Sequence, residues 1–296
     1  MSRFLRLPAL LLLLLPAFVM GQQNAELVNS GQLLFEGNLY YYLGKYGKAE
    51  ETFKRVGRND TNYAVITRDL ARTYSDDDED SLCLMTCVKG LDLHSVYDVD
   101  FYNYMGISLK EMNRYDSALK VYDKAIGLFP YAHLLYYNKG MVYYKQKNYV
   151  EAQKWFQEAV RINPYYSQSH FMLGKSCAEQ GRIIPAVLSF EYFLMVDPSS
   201  DKAPKVVTTI EDLVTGDYQP DPDQKLDDDE SGDKCFADVT DAINSQTALQ
   251  AGYRNKTGIN LKVVKQLQYL FEKLKYQEGT NNWWMDFYVP FYTELQ

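Results

Sequence analysis

The chain has 296 residues, of which 46% are apolar and 24% are charged. That is an ordinary balance for a folded protein whose core needs neither disulfides nor a structural metal. The formal charge of −8, without a cluster of basic residues, argues against nucleic acid and anionic lipid as partners. Tyrosine is unusually common, with 26 Tyr against 14 Phe, and its amphipathic ring suits binding surfaces.

The first 21 residues have the pattern of an export signal. Arg3 and Arg6 form a short basic start, and residues 7–20 form an apolar run that two prolines interrupt. This run is too short for a comfortable membrane span, so we expect cleavage before Gln22 and an exported protein. A leucine-rich signal that ends just before Gln is typical of Gram-negative envelope proteins. The expected location is therefore the periplasm, with secretion as the alternative.

A repeat governs the middle of the chain. Three prolines lie 34 residues apart, and in step with them a Gly is followed after twelve residues by an Ala and after four more by an aromatic residue. The prolines are Pro130, Pro164 and Pro198, and the other columns are Gly106, Gly140 and Gly174, Ala118, Ala152 and Ala186, and Tyr122, Phe156 and Phe190. A fixed period of this length indicates a solenoid, in which stacked helix pairs bury a core that none could bury alone.

The same columns, extended toward the N-terminus, predict five units of two amphipathic helices joined by a short polar turn. The predicted units are 30–63, 64–98, 99–132, 133–166 and 167–200. A small residue in the first helix lets the second approach closely, and the terminal Pro ends the second helix. The amphipathic stretch at 201–216 is expected to cap the open end of the solenoid.

Residues 133–164 resemble the tetratricopeptide repeat. The family's positions are occupied by Tyr136, Gly140, Tyr143, Ala152, Phe156, Ala159 and Pro164. The pattern recurs in phase through residues 30–200, although Thr61 and Ser95 replace the terminal Pro of the first two units. The resemblance implies an all-α fold, a right-handed α-solenoid followed by a small helical region. It also implies a non-catalytic scaffold that binds a partner protein or peptide.

In this family, partners usually lie along the concave face formed by the first helix of each unit. Projecting that face onto this chain predicts a largely aromatic groove made of Leu34, Asn38, Tyr41, Tyr42, Arg68, Arg72, Asn103, Ile107, Tyr137, Met141, Tyr144, Phe171 and Lys175. The family's grip on a peptide's terminal carboxylate needs Lys, Asn and Arg, whereas the matching positions hold Leu34, Asn38, Asp69, Asp100 and Tyr104. That mode is not expected here, and an apolar helix or an extended peptide is the expected occupant. Tyr137, Met141 and Tyr144 are expected to be spared from the core, because they lie on the face turned away from the packing face of their helix.

Residues 217–234 contain two prolines and eight acidic side chains, and they are predicted to form a flexible linker. Within and just beyond this segment, residues 227–238 have the spacing of an EF-hand loop. The two prolines oppose an entering helix, and Lys234 stands where an apolar residue should pack. The sequence therefore predicts a solvated linker without a metal site.

The region after the linker, residues 235–296, is predicted to be helical. One long apolar stripe starts near Asn260 and ends before Gly279. The aromatic stretch 283–292 is expected to pack onto that helix. The alternative is a docking tail for a membrane surface or a partner.

Few residues suggest chemistry. Cys83, Cys87 and Cys177 fall in core columns and are expected to be buried thiols, whereas Cys235 at the linker edge is the best candidate for pairing or reactivity. His170 stands where the repeat has a large aromatic residue and is expected to be a packed core residue. The sequence contains no serine nucleophile elbow, phosphate loop or HExxH motif. No catalytic residue, cofactor or metal is predicted.

Two other functions stay open on the sequence. The first is an enzyme or ligand-binding module in residues 235–296, with the repeats as a targeting arm. The second is a secretory-pathway co-chaperone, which glycans at Asn59 or Asn255 would favour. The expectation that we carry forward is an exported adaptor that holds a partner protein.

Overall fold

A computed structural model describes residues 29–223, 233–250, 252–253, 256 and 261–295. The expected export signal and residues 224–232 of the acidic segment lie outside the described residues. The described residues form fourteen α-helices and two short 3₁₀ helices, with no β-strand. The all-α prediction is therefore confirmed for this part of the chain.

Ten of the helices form five consecutive pairs. They are α1 (Ser30–Tyr42) with α2 (Tyr46–Phe53), α3 (Tyr63–Asp76) with α4 (Asp80–Leu91), α5 (Asp98–Glu111) with α6 (Tyr115–Leu128), α7 (His133–Lys145) with α8 (Tyr149–Ile162), and α9 (Ser167–Glu179) with α10 (Ile183–Val196). The remaining helices are α11 (Ala203–Thr215), α12 (Ala237–Asn244), α13 (Lys262–Lys273) and α14 (Trp283–Glu294). The turn inside each pair contains one residue in the left-handed conformation that ends the first helix: Gly44, Asp78, Asn113, Lys147 and Gly181.

The repeated glycines allow the two helices of a pair to approach closely, as their spacing predicts. A β-carbon built on Gly106 would lie 2.2 Å from Cζ of Tyr122, and one built on Gly140 would lie 2.7 Å from Cε1 of Phe156. Both distances are well inside van der Waals contact. The aromatic residue of each second helix therefore lies against the bare backbone of the first.

The described residues divide into two compact units, with the boundary between Tyr104 and Met105 inside α5. In the first unit, a core that includes Leu33, Phe53 and Ile66 fills the space between α1, α2 and α3. Further along the same unit, Phe101 of α5 is fully buried and lies against Gly90 of α4.

The second unit has one large core. Phe190 and Phe193 of α10 belong to the same buried cluster as Leu270 of α13 and Trp284 and Tyr288 of α14. The helices after the acidic segment therefore complete the core of the last repeats. Phe236 and Ile243, which follow the acidic segment, belong to this same cluster. Helix α11, in the stretch expected to cap the solenoid, packs against both α10 and α13.

The aromatic stretch packs in a different place from the one we expected. Tyr288 hydroxyl bonds to Nδ1 of His170 in α9, and Tyr292 hydroxyl donates to the Leu188 carbonyl of α10 at 2.8 Å. The Tyr292 ring also lies 5.2 Å from the ring of Phe271 in α13. We expected the aromatic stretch to pack on α13 only. Helix α14 packs on α9 and α10 as well. None of the described helices is both long and apolar enough to cross a bilayer.

The described ends of the acidic segment also contact the repeats. Lys147 Nζ donates to Asp221 Oδ2 at 3.2 Å, and Tyr218 packs against the large core of the second unit. At the other end, Arg182 Nε donates to Asp233 Oδ2 at 2.8 Å. Composition predicted a flexible linker over residues 217–234, and these contacts involve only its described ends.

Candidate functional site

In the first unit, the predicted groove residues form a polar network, which we call the arginine cluster: Asn38, Tyr41, Tyr42, Arg68 and Arg72, held around Asp69. The side chain of Asp69 is 1% exposed. Its carboxylate accepts hydrogen bonds from Asn38 Nδ2 at 2.9 Å and from Arg68 Nε at 2.8 Å. Arg72 donates in turn to Asn38 Oδ1 at 2.6 Å. A buried charge of this kind needs such partners, so these side chains have fixed positions.

Tyrosine rings hold the two arginines from the side. The Arg72 guanidinium lies 4.1 Å from the ring centre of Tyr41 and 5.8 Å from that of Tyr42. The Arg68 guanidinium lies 4.9 Å from the ring centre of Tyr97. These distances fit cation–π contacts, so the arginines are oriented before any partner arrives.

Acidic groups already balance the arginine charges. Asp69 contacts both arginines, at 2.6 Å from Arg68 and 3.6 Å from Arg72. Burial raises the pKa of Asp100, an effect that the nearby arginines oppose. A peptide carboxylate would have to compete with these internal acids.

The other predicted residues of the first unit contribute less. Leu34 packs against the core of this unit, and Asn103 is half-buried on α5. Burial raises the pKa of Tyr104, whose hydroxyl therefore stays protonated.

In the second unit, the predicted residues on α7 and α9 form what we call the aromatic cluster: Tyr137, Met141, Tyr144, Phe171 and Lys175. We expected the three α7 residues to be spared from the core. Instead they are half-buried and pack against it. The Tyr137 ring lies 5.6 Å from that of Phe156 and 5.3 Å from that of Tyr166. The side chains of this cluster are thus partly packed in the core and partly exposed.

A cation lies above this aromatic surface. Lys175 Nζ is 5.1 Å from the ring centre of Tyr144 and 5.9 Å from that of Phe171. Burial lowers the pKa of Lys175, because desolvation disfavours its charged form. The sequence projection missed Lys202, whose Nζ lies 5.7 Å from the Phe171 ring centre. Ile107, the last predicted residue of this unit, is half-buried on α5.

The cysteines and His170 are structural. Cys83, Cys87 and Cys177 are fully buried, as predicted, and burial raises the pKa of Cys177 to about 12. Cys235, the candidate reactive thiol, is half-buried, and burial raises its pKa too. A raised thiol pKa opposes the thiolate that reactivity requires, so Cys235 is poorly suited to that role.

His170 is fully buried, as predicted, and burial lowers its pKa to about 4. Its Nε2 donates to the Pro164 carbonyl at 2.7 Å, so a neutral ring accepts from Tyr288 hydroxyl through Nδ1. In the part of the chain that the structure describes, no group of three or more His, Cys, Asp and Glu side chains is placed to hold a metal ion.

Comparison with known proteins agrees with this geometry. Residues 105–167 match the family model of the tetratricopeptide repeat. Cell division cycle protein 27 homolog A of Arabidopsis thaliana is 32% identical over 114 residues, a match that covers 38% of this chain and 16% of that protein. The chain therefore spans only a small part of the length of this curated relative.

Solved structures resemble the chain over a larger part of its length. The structure of a thermophilic TPR protein of Thermus thermophilus is 18% identical, with a TM-score of 0.51, and covers 62% of this chain and 98% of its own. PilF of Pseudomonas aeruginosa is 18% identical, with a TM-score of 0.48, and covers 62% and 90%. The first of these likenesses supports the helical-repeat fold and says nothing of function. The tetratricopeptide repeat family is thus supported by sequence at residues 105–167 and by the fold of the helix pairs.

Proposed function

We propose that this chain is an exported, non-catalytic adaptor that binds a partner protein through the first-helix faces of its repeats. Tetratricopeptide repeat scaffolds of this type typically mediate interactions between proteins. Export rests on the basic start and apolar run of the first 21 residues. Intact-mass analysis of protein from its native host is expected to show a chain that begins at Gln22. A chain that retains Met1 would contradict the export proposal.

One observation carries the binding proposal: the aromatic cluster presents large side chains that are anchored in the core yet half-exposed. Tyr144 and Phe171 supply rigid apolar area, and Lys175 adds a cation between them. Anchored aromatic residues lose little conformational freedom when a partner binds, which is why they often dominate binding energy. The occupant that fits is a helix or extended peptide with apolar side chains and an acidic group that meets Lys175.

Crosslinking in the native host tests this proposal. A photoreactive amino acid placed at Met141 should give a crosslinked partner. The matched control places the same group at Tyr165, which is 78% exposed on an inter-repeat turn outside the cluster. A partner captured equally from both positions, or from Tyr165 alone, would contradict the assignment of the surface.

Binding measurements with that partner give the second test. Tyr144→Ala is expected to weaken the complex by about 2 kcal/mol or more, which is roughly 30-fold. Tyr165→Ala should change the dissociation constant less than about twofold. Since Tyr144 also contacts Tyr149, with ring centres 5.0 Å apart, thermal unfolding of each variant must be measured alongside. Unchanged affinity for a folded Tyr144→Ala variant would refute the proposal.

A further inference from the structure

The second helix of the first pair is unusually short. Helix α2 has 8 residues, whereas α4 has 12 and α6, α8 and α10 have 14 each. Helix α2 packs against α3, the first helix of the next pair, and its early end shortens the surface available for this contact.

Just after α2, Val56 is buried, whereas Gly57 is exposed and contributes no side chain. Counted from the first residue of each helix, Gly57 occupies the position that Val160 occupies in α8. Val160 is fully buried in the core of the second unit. A β-carbon built on Gly57 would meet no atom within 4 Å, so open space replaces the missing side chain.

A groove of about 260 Å³ lies between α2, α3 and α4, wholly inside the first unit. Its apolar lining includes Ile66 and Leu70 of α3 and Leu82 and Met85 of α4. Leu82 is 36% exposed and Met85 57% exposed, which is unusual for large apolar side chains that line one concavity. This volume is below the roughly 300–1,000 Å³ of small-molecule pockets and suits one or two side chains of a protein partner.

The charged side chains that line the groove indicate the charge of its partner. The two charged side chains among its lining residues, Lys54 and Lys89, are both cations. Lys54 pairs with Glu50, whereas Lys89 makes no ion pair among the described residues. The groove therefore combines an apolar floor with one available cation at its rim.

We propose that this groove between α2, α3 and α4, whose lining shares no residue with the arginine cluster or the aromatic cluster, is an additional docking site. Its occupant is a short partner segment with one or two large apolar side chains next to an Asp or Glu. The apolar side chains fill the space above Ile66 and Leu70, and the carboxylate pairs with Lys89. This inference does not rest on the proposed function, because none of these residues belongs to the arginine or aromatic cluster.

Selection of a displayed random-sequence peptide library on the full chain tests the proposal. Peptides that combine Leu, Ile or Phe with Asp or Glu are expected among the binders. Met85→Asp and Lys89→Glu should each weaken these peptides about tenfold or more. The matched control is Val88→Asp on the same helix, because Val88 is 54% exposed and does not line the groove. This control should leave the affinity unchanged.

A second variant distinguishes a loss of peptide binding from a loss of the fold. Leu82 lines the groove and is 36% exposed, so Leu82→Asp should preserve stability while it places a carboxylate that repels an acidic peptide. Peptides that bind the wild type but not a folded Leu82→Asp variant would support the site. Three results would each overturn the proposal: no selected peptide sensitive to Met85→Asp, equal effects of Met85→Asp and Val88→Asp, or a preference for basic peptides. Self-association of the chain that Met85→Asp abolishes would assign the groove to a second copy and also overturn it.

Discussion

Replacing Gly140 by Val tests the close approach on which the helix pairs depend. A β-carbon at Gly140 would lie 2.7, 2.8 and 3.1 Å from three ring carbons of Phe156, which is fully buried. Carbon atoms prefer separations of about 3.5 Å or more, so the ring or the helix must shift by about 0.8 Å. Overpacking of this kind typically costs about 1–3 kcal/mol, and a Val side chain adds two further methyl groups. We expect about 2–3 kcal/mol of destabilisation.

Thermal unfolding followed by circular dichroism measures this effect. For a unit of this size, the expected loss corresponds to a melting temperature lower by about 4–12 °C. The matched control is Gly127→Val, since a β-carbon on that helical glycine meets no atom within 4 Å. Its stability should change by less than about 0.5 kcal/mol.

A double-mutant cycle identifies the physical cause. Phe156→Leu removes part of the obstructing ring, so the double variant Gly140→Val/Phe156→Leu should be less destabilised than the sum of the single variants by about 1 kcal/mol or more. Equal stability of Gly140→Val and Gly127→Val would refute the reasoning. An additive cycle would show that the cost does not arise from contact with Phe156.

Three further predictions concern the core of the second unit. Trp284→Ala should lower the free energy of unfolding by about 3–5 kcal/mol, because Trp284 is 1% exposed. This loss should appear in a denaturant titration, and an unchanged midpoint would exclude α14 from the core. Folding lowers the pKa of His170 from 6.5 to about 4, so the folded state favours the neutral ring. The stability that this provides is fully present above pH 6.5 and is lost as the pH falls toward 4. As the pH falls from 8 to 5, the unfolding free energy of His170→Phe should therefore rise by about 2 kcal/mol relative to that of the wild type. A difference in unfolding free energy that does not change with pH would contradict this. Alkylation of the native protein, followed by mass spectrometry, should label the half-buried Cys235 before the fully buried Cys177; the reverse order would contradict the burial described here.

The helix pairs could be predicted from the sequence because their contacts are local and repeat. Gly140 and Phe156 lie sixteen residues apart, and equivalent pairs recur in neighbouring repeats. A contact that recurs at a fixed spacing leaves a column of identical residue types. The same logic placed His170 and Cys177 in the core, since both occupy such columns.

The surfaces were predicted less well. Projection onto the first helices found Asn38 and Arg72 but could not show that buried Asp69 organises them. It also treated Tyr137 as spared from the core, although the ring of Tyr166 packs against it. Whether a side chain is exposed depends on the neighbouring helices and loops, and the period of one helix does not contain that information.

The sequence by itself determined the all-α class and the position of each helix pair, because short-range contacts repeat along the chain. Only the tertiary structure decided where the C-terminal helices lie and which surfaces remain open. The contact of His170 with Tyr288 joins residues 118 positions apart and occurs once. The groove between α2, α3 and α4 likewise depends on how three helices pack together. Such single, long-range features leave no periodic trace, so they become visible only when the packed helices are seen together.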